Sequence, residues 1–67
     1  MEIPEMKSFL LDLTEIKFPK AVDTACKELL DFDPELVNDV LLILLREGKI
    51  EVKDWAPHRI ISAYTAI

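Results

Sequence analysis

The sequence predicts a mainly α domain, residues 1–67, in which three helices are closed by a small C-terminal β-hairpin. Three observations lead there. Two stretches before Asp33 carry apolar residues at helical spacing. The segment Asp33–Val52, DPELVNDVLLILLREGKIEV, reads as a capped helix, a glycine stop and the beginning of a strand. The C-terminal stretch Arg59–Thr65, RIISAYT, is rich in β-branched and aromatic residues that suit a pleated, half-buried surface.

The first helix runs from Pro4 to Lys17, with Met6, Phe9, Leu10, Leu13 and Ile16 on one stripe and Leu11 off it. Phe18-Pro19 ends it, because a residue before proline is pushed out of helical geometry. The second helix is expected from Pro19 or Lys20 to Phe32. Ala21, Val22, Ala25, Cys26, Leu29 and Leu30 form one face, and Lys20, Asp23, Lys27 and Asp31 the other.

The third helix spans Pro34 to Glu47. Asp33 can accept from the free amides of its first turn, and Pro34 has no N–H to leave unpaired there. Leu36, Val37, Val40, Leu41, Leu44 and Leu45 give it a wide apolar arc, with Leu42 outside the arc and Ile43 at its edge. Gly48, the single glycine of the chain, falls where a helix needs a left-handed C′ residue.

Lys49–Val52 alternates polar and apolar residues and reads as a strand whose internal partner is Arg59–Thr65. The residues between, Lys53–His58, form an open loop that holds Trp55 and Pro57. The rival is a fourth helix capped by Asp54, with Ile60, Ile61, Tyr64 and Ile67 on one side, which gives an all-α four-helix domain. Spacing permits both. The hairpin is preferred because it satisfies the backbone groups of residues 49–52.

The order of three helices, a sharp second turn and a hairpin resembles a winged helix-turn-helix domain. Asp33, Pro34, Val37, Leu41, Leu44, Gly48 and Ile50 carry the resemblance, which is closest over Asp33–Val52. It implies a recognition helix leading into a wing, an arrangement that serves DNA binders, protein-interaction modules and dimerisation domains. Asp31 and Lys27 stand where that pattern has a glycine and a small residue. The face that would enter a major groove presents Glu35, Leu36, Asn38, Asp39 and Leu42, of which only Asn38 is a base-reading type.

The charge balance points the same way. Thirteen acids against eight Lys and Arg give a net charge of −5, and five acids but no base lie between Lys27 and Arg46. Phosphate contacts need cations, and the mildly basic zone is confined to Lys49, Lys53, His58 and Arg59. Nucleic acid is thus a disfavoured partner. The longest apolar run, Val40–Leu45, is far too short to span a membrane, and MEIPEM lacks the basic-then-apolar pattern of an export signal. One cysteine leaves no internal disulfide framework and fits a reducing, cytoplasmic compartment.

No residue set suggests catalysis, a cofactor, a metal or a small-molecule substrate. Cys26 lies on an apolar face without a neighbouring histidine, and His58 has no companion at ligand spacing. Asp31, Asp33 and Glu35 alternate as a calcium loop does, but the loop's glycine and distal glutamate are missing, so a helix cap accounts for them. The expectation is a small acidic protein-interaction or regulatory module, an inhibitor or antitoxin-like regulator, that binds a protein partner or itself. Its candidate contacts are Glu35, Asn38, Asp39, Leu42, Ile43 and Trp55. Trp55 also reads as a lid on the core. The alternative is a dimeric DNA-binding transcriptional regulator.

Overall fold

Pro4 and Pro34 each sit in the first turn of a helix, and these are the only two α-helices among the described residues. The computed structural model describes residues 2–67. In chain order they form helix α1 (Ile3–Lys17), strand β1 (Val22–Asp23), a 3₁₀ turn (Lys27–Leu29), helix α2 (Pro34–Arg46), strand β2 (Ile50–Ala56), a second short 3₁₀ turn (Pro57–Arg59) and strand β3 (Ile60–Ala66). The strands make one antiparallel sheet in the order β1-β3-β2, so the last strand is the central one. The expected fold of three helices plus a hairpin is therefore replaced by two helices and a three-stranded sheet, and the four-helix alternative fails as well.

The correction lies in residues 20–32, where a helix was expected. Val22 pairs with Tyr64 and Asp23 with Ala63, occupying an edge of β3 that would otherwise be open. Local polar side chains then compete with helical hydrogen bonding. The Ala25 amide donates to the Asp23 carboxylate at 2.8 Å, and the Thr24 hydroxyl donates to the Ile61 carbonyl at 2.9 Å. A helix of that length is marginal without tertiary packing, and the packing goes to the strand. Of the anticipated apolar face, Val22 and Leu29 are buried, whereas Leu30 is 71% exposed.

The hairpin reaches further than the sequence suggested. Ile50 pairs with Ala66 and Ala56 with Ile60, leaving only Pro57, His58 and Arg59 as the connection. Trp55 is therefore within β2, opposite Ile61, and not in an open loop. The ladder is irregular around Val52–Trp55. This explains how Ile61 and Tyr64, three residues apart, are both buried in a strand whose side chains alternate with period two.

Both helices cover the buried side of this sheet. Met6, Leu10 and Leu13 of α1, Val37, Val40, Leu41 and Leu44 of α2, and Val22, Leu29, Ile50, Ile61 and Tyr64 form one core. Ile16, expected on the α1 stripe, is 69% exposed, and Thr14 takes the inward position. At 100° per residue Ile16 lies roughly a quarter turn from the centre of the Met6–Leu10–Leu13 stripe.

Helix α2 begins and ends as its residues dictate. The Asp33 carboxylate accepts the Glu35 amide at 2.9 Å. Gly48 takes φ 74°, the Gly48 amide donates to the Leu45 carbonyl and the Lys49 amide to the Leu44 carbonyl, each at 3.0 Å. That pair of bonds is a Schellman stop, which needs a left-handed residue at Gly48 and turns the chain into β2.

The Tyr64 ring is fully buried and its hydroxyl donates to the Leu10 carbonyl at 2.8 Å. Burial pushes the phenol above its ordinary range, so it remains a donor at every working pH. Tyr64→Phe removes that bond while keeping the ring. It should lower unfolding free energy by about 1 kcal/mol, seen as a shifted denaturant midpoint with an unchanged slope.

Two ion pairs fasten the rim. Lys7 Nζ donates to Glu47 at 2.7 Å, linking α1 to the end of α2, and Lys17 Nζ donates to Glu28 at 2.9 Å, linking α1 to the 3₁₀ turn. These hydrogen bonds hold both carboxyls below their ordinary values. A depressed folded-state value means that the unfolded chain binds more protons in acid. The contribution is present above the unfolded carboxylate value and is lost as pH falls through the folded one. Thermal stability should therefore decline as pH drops below about 4, and the decline should be shallower in a Lys7→Met/Lys17→Met variant followed by circular dichroism.

Candidate functional site

Asn38 points from α2 toward the turn between β2 and β3. Its Nδ2 donates to the Arg59 carbonyl at 3.2 Å, and its Oδ1 accepts the Ile61 amide at 2.8 Å. One side-chain amide thus acts as a short piece of backbone, closing the end of the hairpin against the helix. The turn it holds is strained. His58 (φ 65°, ψ 34°) and Arg59 (φ 59°) are both left-handed, and neither is glycine. Each costs about 1–2 kcal/mol in that conformation, so the surrounding contacts must over-determine it.

Between helix and tip lies a groove of about 570 Å³. Asn38, Asp39, Leu42, Leu45 and Arg46 line it from α2, with His58 and Arg59 on the other wall. Leu42 and Leu45 are half-buried, packed on the core beneath. Both arginines of the chain and its single histidine thus stand around one apolar floor, in a protein of net charge −5.

The ion pairs among the described residues use lysines alone: Lys7 and Lys49 with Glu47, Lys17 with Glu28, Lys53 with Glu51. Arg46 and Arg59 are exposed and, among the described residues, meet no carboxylate within 4.0 Å. A guanidinium is a rigid fork of donors suited to bidentate binding of a carboxylate or phosphate. The arrangement can hold an amphipathic surface carrying negative charge. Among the described residues no three His, Cys, Asp or Glu side chains converge as a metal ion would require, and Cys26 is a half-buried free thiol.

The structure brings together part of the set proposed from sequence. Asp39 and Leu42 line the groove, and Asn38 lines it while its amide is committed to the clamp. Glu35 is exposed in the first turn of α2, outside the groove. Ile43 is half-buried elsewhere on α2, and Trp55 stands 46% exposed on β2. The basic zone proposed from sequence divides. Lys53 pairs with Glu51, Lys49 lies 3.9 Å from Glu47, and His58 and Arg59 join Arg46. Arg46 was the residue missed, because nothing in the sequence shows that the hairpin tip folds back beside it.

Phe18 was missed as well. It is 80% exposed and, with Thr14, Pro19, Lys20 and Thr65, borders a second groove of about 680 Å³. The only sequence signal was a large aromatic residue at a helix end, read as a stop. Among the described residues no helix is long and apolar enough to cross a membrane.

Comparisons with family models, with curated proteins and with solved structures give no match.

The clamp and the strain should respond in opposite directions. Asn38→Ala leaves the Ile61 amide unpartnered and should cost about 1–2 kcal/mol. His58→Gly relieves the left-handed strain, at the expense of a more flexible unfolded chain, and should leave stability unchanged or raised by up to about 1 kcal/mol. Paired denaturation curves check both.

Proposed function

We propose that this chain is a small interaction module that regulates a protein partner by binding it, in the manner of an inhibitor or antitoxin-like regulator, and that the α2–hairpin face is its contact surface. One observation carries the reading. Among the described residues, Arg46, Arg59 and His58 stand without carboxylate partners around the half-buried Leu42 and Leu45, on a groove wall fixed by the Asn38 clamp. Such a surface has the anatomy of a protein contact: an apolar centre, a charged rim and little freedom to lose on binding. The lone free thiol suits a cytoplasmic setting. The function is binding and not catalysis.

The second reading is a dimeric DNA-binding transcriptional regulator. The cations at the end of α2 and at the tip beside it favour it. Glu35 and Asp39, exposed on the same helix, oppose it by repelling phosphate.

Leu42→Glu tests the first reading. The substitution places a charge on the groove floor and should reduce recovery of the protein partner by about tenfold or more, while Glu51→Gln on β2 leaves recovery unchanged. Equal recovery with both variants contradicts the proposed surface. A duplex-DNA shift at low salt that weakens steeply as salt rises would favour the second reading instead.

A further inference from the structure

We propose that the exposed stripe of α2 pairs with the same stripe of a second copy of this chain, antiparallel about a two-fold axis at Leu42. The inference rests on the reading of this face as a protein contact surface and names its occupant. Glu35, Asp39, Leu42 and Arg46 recur at intervals of four, three and four residues, the spacing of a heptad seam. Glu35, Asp39 and Arg46 are exposed and Leu42 between them is half-buried, whereas the monomer's core takes Val37, Val40, Leu41 and Leu44 from the other side of the helix.

The charges on this seam have no partner on their own helix. Asp39 has Leu42 and Ile43 at the following helical contact positions, and Arg46 has the same two residues behind it. Glu35 and Asp39 are four apart, a like-charge spacing that disfavours an isolated helix. The order is acid, acid, leucine, base. With a rise of 1.5 Å per residue, Asp39 lies about 4.5 Å before Leu42 and Arg46 about 6 Å after it. An antiparallel copy centred on Leu42 therefore sets Asp39 against Arg46 twice, and directs Glu35 toward the end of α2 where Lys49 follows Gly48. A parallel copy would set each charge against its like. Acids first and bases last also suit the dipole of a lone helix, but that effect changes stability and leaves association untouched.

Helix α2 is 13 residues, about 20 Å long, so the contact is small and the dimer weak, forming reversibly with concentration. Sedimentation equilibrium across the micromolar-to-millimolar range should show a monomer–dimer equilibrium that added salt weakens. Asp39→Arg and Arg46→Asp, both at exposed positions, should each weaken the dimer by about tenfold or more. The double variant D39R/R46D should regain it, because the swap preserves the pairing in an isologous interface. An equimolar mixture of the two single variants should form a heterodimer although neither self-associates. That rescue cannot come from misfolding.

A chain that remains monomeric throughout this range overturns the proposal, as does a double variant no better than the single ones. A dimer indifferent to Leu42→Glu also overturns it, because the contact is then elsewhere. If the chain is monomeric while Leu42→Glu still abolishes recovery of a different protein, the self-pairing falls and the contact surface stands.

Discussion

The buried Tyr64 side chain, whose phenol donates to the Leu10 carbonyl, ties the sheet to α1 at the centre of the core. Tyr64 lies in the central strand, with Val22 beside it in β1 and Val52 in β2. Its hydroxyl reaches the backbone of α1, so one side chain joins all three strands to a helix. Burying a phenol demands such a partner, since an unpaired hydroxyl in an apolar core costs more than the bond contributes. With the middle of β3 fixed by Tyr64, Ile61 is carried into the core and the beginning of β3 is brought to α2. There the Asn38 amide takes over, bonding on both sides of Ile60. The α2–hairpin face is thus an extension of the core and not an appended loop.

That continuity explains how the tip can hold two left-handed residues without glycine. A free three-residue turn of this sequence would relax. Here the strain is countered by the ladder on one side and the clamp on the other, and together they fix the groove wall. The distribution of cations follows the same division. Lys7, Lys17, Lys49 and Lys53 lie against carboxylates at the rim, and both arginines line the groove. The planar guanidinium is the less hydrated cation and offers a rigid fork of donors.

Punctuation was what the sequence showed best. Asp33, Pro34 and Gly48 mark the limits of α2 through hydrogen-bond requirements that act within a few residues, and the partner strand for residues 50–52 was legible because a lone strand cannot satisfy its backbone. Residues 20–32 were misread because their apolar spacing suits a helix, while the deciding contacts are distant: Val22 with Tyr64, and Thr24 with Ile61. Trp55 was misplaced because its neighbours Asp54 and Pro57 look like loop residues, yet the turn needs only three positions. In the candidate site, Asp39 and Leu42 could be chosen from their place outside the apolar arc. Their convergence with Arg46 and Arg59 could not, because it depends on a clamp between residues 38 and 61 that no local pattern announces.

The hairpin tip and α2 form one face held together by the Asn38 clamp. Hydrogen exchange of the Ile61 amide, whose partner is the Asn38 side chain, tests it most directly. This amide should open with the core and exchange as slowly as those of the buried α2 residues. Exchange at the rate of an open loop would show that the tip moves independently of the helix and would contradict a preformed contact surface.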